Sequence, residues 1–254
     1  GAELLVLEND DDNKVFSATF RTPPENDTGI AHILEHSVLC GSKNFPVKEP
    51  FVELMKGSLQ TFLNAMTFPD KTMYPVASRN QKDFYNLMNV YLDAVFYPTI
   101  SEDTFKQEGW HYELNSPEDK IVYKGVVLNE MKGEFSSPES CIDRQLAHSL
   151  FPSTPYGYES GGDPQSIPNL SYEEFKEFHR KHYHPSNSRL FLYGDGDTQS
   201  YLDYLQANYL KDFGLMDVNT SIPHQRSFRK AKRKTLAYPI SSHESLEKKT
   251  YVLL

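Results

Sequence analysis

The chain has 254 residues, and its 38% hydrophobic, 13% aromatic and 24% charged residues are typical of a globular protein with a substantial core. The formal net charge of −9 argues against nucleic-acid binding as the main function, because phosphate contacts require clustered Lys and Arg. No apolar run approaches the length of a membrane span, so we expect neither a membrane protein nor a nucleic-acid-binding protein.

Taken in chain order, strand-like runs alternate with amphipathic runs. Branched and aromatic residues predict strands over 4–8, 15–21 and 190–193, and apolar residues at helical spacing predict helices over 32–40, 81–95, 172–182 and 199–210. Pro23 and Pro24 separate the second strand from the first helix. This mixture of elements predicts an α+β domain.

Residues 32–36 form the most informative motif, because they spell H-x-x-E-H, the inverted form of the zinc-protease helix signature. Residues four apart share one helix face, so His32 and His36 can direct both imidazoles at one zinc ion. Glu35 lies on the neighbouring stripe, where a general base could reach a water at the metal. Thr28 supplies a capping residue just before the helix. The alternative is a surface helix that happens to carry His and Glu.

A catalytic zinc normally has three protein ligands, so this hypothesis requires a further ligand elsewhere in the chain. Glu130 follows the apolar run 125–129, and Glu113 lies close to Trp110, the only tryptophan. The spacing alone does not choose between the two carboxylates. Each is equally compatible with a solvated or helix-capping glutamate.

Nine segments in order along the chain carry a family resemblance. They are 20–24, 28–42, 46–54, 56–65, 70–78, 83–87, 108–110, 125–133 and 182–187. The chain resembles the presequence-protease and falcilysin branch of the pitrilysin-type zinc metallopeptidases, also called inverzincins. The resemblance is weak beyond Gly194. It implies a mixed, largely antiparallel sheet packed against helices.

The resemblance also implies a set of site residues. It makes His32 and His36 zinc ligands, Glu35 the general base and Glu130 the third ligand, with one Zn²⁺ per domain.

In the wider family an acidic residue stands two helical turns before the third ligand, whereas this chain has Tyr123 at that position. Glu108 and Glu113 are therefore candidates for the carboxylate that orients a ligating histidine, a partner that metal sites usually need.

The implied activity is that of a zinc-dependent endopeptidase acting on short unstructured peptides such as cleaved targeting presequences. The resemblance places residues 61–68 as a strand bordering the active site, whose edge can pair with an extended peptide. Phe62, Asn64 and Ala65 are the expected substrate-binding residues, although Phe62 could equally fill the core. Two alternatives are a catalytically incompetent homologue of the processing-peptidase type that acts as an interaction domain, and a structural zinc site closed by a fourth protein ligand.

Complete members of this family are single long chains of two homologous halves. We therefore expect a zinc-binding catalytic domain over 1–225, and over 226–254 a linker and the truncated start of a second homologous domain. The expected partners are a peptide substrate and the C-terminal half of the same chain, so this part alone should cleave poorly. An exposed apolar interface could also drive homodimer formation.

The cysteines Cys40 and Cys141 predict no disulfide and fit a soluble protein in a reducing compartment. No targeting segment is visible in the first residues. We expect the mitochondrion or plastid if the source is eukaryotic, and the cytoplasm if it is bacterial.

Overall fold

A six-stranded sheet with helices packed on it forms the body of the protein. The structure is a computed structural model and describes residues 1–48, 50–238, 240–241, 243, 245 and 247–252. The strands are β1 (Glu3–Glu8), β2 (Lys14–Arg21), β3 (Gln60–Leu63), β4 (Met66–Thr67), β5 (Lys71–Ser78), β6 (His111–Glu113), β7 (Val122–Lys124) and β8 (Ser188–Gly194). The helices are α1 (Ile30–Val38), α2 (Pro50–Gly57), α3 (Gln81–Phe96), α4 (Glu102–Glu108), α5 (Val126–Glu134), α6 (Pro138–Leu150), α7 (Tyr172–His182) and α8 (Thr198–Asn208).

The strand order in the sheet is β1-β8-β2-β5-β3, and β4 also pairs with β5. Among the described pairs of this sheet, β1 and β8 run parallel. The antiparallel pairs are β2–β5, β2–β8, β3–β5 and β4–β5. A separate hairpin joins β6 and β7. The predicted α+β class with a largely antiparallel sheet is confirmed.

The core lies between the sheet and the helices. Alternate residues of β2, namely Phe16, Ala18 and Phe20, are completely buried and face the helical layer. From the other side, Ile33 and Leu34 of α1 fill the same space because they lie on the helix face opposite solvent. The sheet and this core therefore fix the position of α1.

The predicted elements are confirmed within one or two residues, and α7 has the predicted bounds. The largest shift is in α1, which ends at Val38 because the Leu39 and Cys40 N–H groups donate to the His36 and Ser37 carbonyls in a tighter last turn.

The expected capping role of Thr28 is wrong. The residue that caps α1 is Gly29, in the left-handed conformation with φ of 67°. The Thr28 hydroxyl instead donates to Asn26 Oδ1.

The predicted strand over 61–68 is interrupted at residues 64–65. The N–H of Asn64 donates to the Pro75 carbonyl of β5 at 3.2 Å, but Pro75 has no N–H to return. The Asn64 carbonyl accepts instead from the Tyr91 hydroxyl of α3 at 3.2 Å. One ladder bond is thus lost, and the outer strand appears as β3 and β4.

The described part of residues 226–252 contains neither helix nor strand, and its side chains are mostly exposed. Leu253 and Leu254, at the end of the expected start of a second domain, lie outside the described residues. Among the helices that the structure describes, none has the length and apolar character needed to cross a membrane.

Candidate metal centre

The two histidines of α1 lie one turn apart, with ring centroids separated by 4.9 Å. The His32 Nδ1 atom lies 3.0 Å from the Gly161 carbonyl oxygen. A carbonyl can only accept a hydrogen bond, so Nδ1 carries the proton and the neutral ring keeps a lone pair on Nε2. His32 is therefore prepared to bind a cation through Nε2.

The second ring is oriented by a buried carboxylate. His36 Nδ1 lies 3.3 Å from Oε2 of Glu108, which is 6% exposed at the end of α4 and also accepts from the Gln107 side chain. Burial acts to lower the pKa of His36, but the hydrogen bond with Glu108 and the charges of Glu35 and Glu130 outweigh it and raise the pKa. Burial acts to raise the pKa of Glu108, yet its bonds with His36 and Gln107 hold it below the usual value. Glu108 is therefore an ionised partner that fixes the His36 ring.

The α5 helix brings Glu130 opposite both rings. Its Oε2 atom lies 3.7 Å from Nε2 of His32 and 3.7 Å from Nε2 of His36. The three ligand atoms all lie within 4.8 Å of one another, and no other group of three or more possible ligands occurs among the described residues. Tetrahedral zinc with bonds of about 2.0 Å requires donors about 3.3 Å apart, so the three atoms would have to move closer together to complete the site.

The charges in this cluster favour a cation. Two nitrogen lone pairs and a carboxylate oxygen face one another, and all three are acceptors. Three protein ligands on one side leave a position open, as in catalytic rather than structural zinc sites. The donor set therefore fits a zinc ion.

Glu35 lies beside the cluster at the wall of a cleft. Its side chain is on the next stripe of α1, and the residue is 8% exposed. The cleft has a volume of about 300 Å³ and joins the histidine region to the outer strand of the sheet. Its lining residues are Glu35, His36, Leu39, Cys40, Phe51, Val52, Asn64, Ala65, Gln107 and Glu108. A ligand bound in this cleft would contact both Glu35 and the edge of the sheet.

The residues expected to bind substrate lie on this outer strand. Because the Asn64 N–H points at β5, strand alternation directs the Ala65 N–H to the open edge, where it donates to Asn64 Oδ1 at 3.0 Å. Asn64 is exposed, Ala65 is half-buried, and Phe62 is 47% exposed, so Phe62 does not fill the core.

The structure separates Glu113 and Tyr123 from the cluster. The Glu113 carboxylate forms a short ion pair with Lys124 and lies 3.7 Å from His111 on the β6–β7 hairpin. It does not bond to His32 or His36, because the hairpin directs it elsewhere. The Tyr123 ring packs near Trp110.

Sequence reasoning missed the contribution of Gly161. The only signal was the loop composition of residues 161–164, which marks a turn but not its contact with a histidine 129 residues away.

Two family models match separate parts of the sequence. The sequence model described as Insulinase (Peptidase family M16) matches residues 20–134, and the one described as Peptidase M16 inactive domain matches residues 169–254. His32, Glu35, His36 and Glu130 all lie within the first match. The second match contains none of the four.

Two curated relatives match almost the whole chain. Protein HypA of Clostridium perfringens is 57% identical over 100% of this chain and 26% of its own length. Presequence protease 1, chloroplastic/mitochondrial, of Arabidopsis thaliana is 54% identical over 98% of this chain and 23% of its own length. The chain thus spans about a quarter of the length of the curated relatives it matches.

Solved structures support the fold. A protease from Helicobacter pylori superposes with a TM-score of 0.70 at 19% identity, over 88% of this chain and 52% of the other. The M16 inactive domain from Pseudomonas fluorescens gives a TM-score of 0.66 at 18% identity, over 86% of this chain and 51% of the other.

Proposed function

This chain belongs to the M16 peptidase family, and we propose that it is the zinc-binding catalytic part of an endopeptidase. The proposed substrates are short unstructured peptides such as cleaved targeting presequences. The names of its relatives support this class of substrate. A net charge of −9 and the carboxylates around the cleft also favour positively charged peptides.

One observation carries the proposal. His32 and His36 on α1 meet Glu130 on α5, 94 or more residues away in sequence, within 4.8 Å, and Glu35 lines the adjoining cleft. A surface helix that carried His and Glu by chance would not be expected to lie within 4.8 Å of a glutamate from a distant helix. The two histidines and Glu130 would hold the zinc ion.

Each residue has a distinct chemical task. When bound, zinc makes water more acidic and polarises a carbonyl group. Glu35 accepts the proton of the attacking water and delivers it to the leaving amine nitrogen. Gly161 and Glu108 keep the two imidazoles turned so that Nε2 faces the metal position.

The peptide would bind as an added strand along β3 and β4. Main-chain groups at the open edge give affinity for an extended chain with little dependence on its sequence. The Ala65 N–H is held by the side chain of Asn64, a local bond that a substrate carbonyl can replace. Phe62 offers an exposed aromatic surface beside this edge.

The remaining expectations extend this proposal. We assign the zinc-binding domain to residues 1–225 and a connection to a second homologous domain to residues 226–254. The other part of a longer chain would close around the peptide and grip its carbonyl, so this part alone would cleave slowly. A homodimer of this part remains a proposal, as does a mitochondrial, plastid or bacterial cytoplasmic location.

The decisive experiment compares Glu35→Gln with the unchanged chain. Zinc affinity should be retained because Glu35 is not a ligand, whereas cleavage of a basic unstructured peptide should fall by roughly a factor of 10² to 10⁴. Cleavage is followed by mass spectrometry, both for this chain and for the Clostridium perfringens relative with the matching change. Normal turnover by the substituted relative would contradict the proposed base.

A further inference from the structure

We propose that Asp27 and Glu159 are positioning residues for the metal cluster. They act through residues 159–163, named here the glycine loop, whose Gly161 carbonyl orients His32. The inference rests on the proposed zinc site for its purpose. The contacts that carry it, however, all lie within the protein and need no metal.

The peptide group between Gly161 and Gly162 is held at both ends. Its carbonyl accepts from His32 Nδ1 at 3.0 Å, and its N–H donates to the Glu159 carbonyl at 3.0 Å. Hydrogen bonds at both ends of one peptide polarise it in the same sense, which strengthens the bond to the histidine. The direction of this one peptide therefore decides the tautomer of His32.

Glu159 holds the loop a second time through its side chain. Its Oε1 atom accepts from the Gly161 N–H at 3.1 Å. The preceding peptide is thus fixed as well, and the Gly161 carbonyl cannot rotate away from His32 without breaking a bond to Glu159.

Asp27 closes the loop onto α1. Its Oδ1 accepts from the Glu159 N–H at 2.8 Å, and its carbonyl accepts from the Asp163 N–H at 2.8 Å. The two bonds clasp the first and last residues of the glycine loop. Because Asp27 stands three residues before α1 begins, the loop is tied to the helix that carries His32.

Close packing explains why the loop contains glycine. A Cβ at Gly29, where φ is 67°, would lie 2.7 Å from the Gly161 carbonyl oxygen. A Cβ at Gly161 would lie 2.9 Å from Cε of Met131, the neighbour of Glu130 on α5. The loop is therefore wedged between the helices that carry the two sides of the cluster.

Removing the Asp27 carboxylate should loosen the loop at Glu159 and allow His32 to adopt the tautomer with the proton on Nε2. That tautomer has no lone pair at the position facing Glu130. The expected consequence is weaker zinc binding by roughly tenfold or more, the effect typical of lost partners behind a metal ligand.

The test uses Asp27→Ala and Glu159→Ala, with Asp27→Asn and Glu159→Gln as variants that keep the accepting oxygen. Asp163→Ala is the matched control, because its side chain accepts from Gln165 N–H and not from a group bonded to His32. Two quantities are measured in the 254-residue chain. They are the ¹H–¹⁵N correlations of the His32 ring without metal, and the zinc dissociation constant by competition with a chromophoric chelator.

In the unchanged chain the ring should show a proton on Nδ1. The alanine variants should show mixed tautomers and weaker zinc binding, and the Asn, Gln and control variants should resemble the unchanged chain. A proton on Nε2 in the unchanged chain overturns the inference, even if the alanine variants fail to fold. Unchanged spectra and affinity in both alanine variants also overturn it. Failure of the unchanged chain to bind zinc contradicts the proposed function instead, because the tautomer measurement needs no metal.

Discussion

The two helices that form the metal cluster differ in how firmly they hold their ligands. Seven of the nine residues of α1 are buried, against three of nine in α5. The side chains of His32 and His36 are 12% and 26% exposed and each has its Nδ1 engaged, whereas the Glu130 side chain is 54% exposed. One side of the site is thus preorganised by the core, and the other completes it from the surface.

This difference has an energetic meaning. A ligand fixed before binding loses little rotamer entropy when the metal arrives, whereas an exposed glutamate must be ordered at that moment. The histidines should therefore contribute more net affinity than Glu130. The predictions below test this difference between the two helices.

The largest expected effect comes from removing a ligand on the α1 side. His36→Ala should weaken zinc binding by on the order of a hundredfold or more, because structural zinc affinities divide into several kcal/mol per ligand. Glu130→Gln should weaken zinc binding by only roughly tenfold, because the exposed carboxylate must lose rotamer entropy when it binds the ion. Titration against a chelator measures both. Equal losses would remove the distinction between the helices, and unchanged affinity in Glu130→Gln would show that another group is the third ligand.

The second expected effect is a loss of stability at low pH, and it arises in α7, which packs against α1. Burial lowers the pKa of His179 and His182 to about 4 each. Below about pH 6.5 these two histidines therefore bind more protons in the unfolded chain than in the folded one, and their contribution to stability is lost as the pH falls towards 4. The free energy of unfolding should decrease by about 2 kcal/mol per imidazole between about pH 7 and about pH 5.

Urea unfolding followed by the fluorescence of Trp110 measures this dependence. His182→Gln should remove the contribution of one imidazole, about 2 kcal/mol over this range, and the exposed His148→Gln is the matched control. A slope that is the same in all three proteins would contradict the assignment to α7.

The smallest effect tests the orientation of one ring. Glu108→Ala should weaken zinc binding by about tenfold, because His36 stays attached but loses the partner that fixes it. Glu113→Ala is the matched control and should leave the affinity unchanged, since its carboxylate pairs with Lys124. A larger loss in the Glu113 variant would reverse the roles of the two glutamates.

Much of the fold could be predicted because local patterns carry it. The apolar spacing of α7 predicts both of its ends, and in the structure Ser171 with Glu174 forms a capping box at the first of them. The break at residues 64–65 could not be seen in the strand itself. It arises from Pro75 on the neighbouring strand, so it depends on pairing and register.

The candidate site divides in the same way. The spacing of His32, Glu35 and His36 places them on adjacent stripes of one helix, which is a local property. The choice between Glu108 and Glu113 is not local, because both are near Trp110 in sequence and differ only in where α4 and the β6–β7 hairpin direct them.

Local patterns in the sequence are enough to predict the α+β class, the helical histidine pair and its neighbouring glutamate, because helix periodicity brings residues three and four apart together. The orientation of the two rings by Glu108 and Gly161, and the position of Glu130 across the cluster, depend on tertiary packing. These contacts join residues 72 to 129 positions apart, and the packing of α4, α5 and the glycine loop against α1 creates them. Local spacing brings the two histidines together, and packing sets the direction in which their rings point.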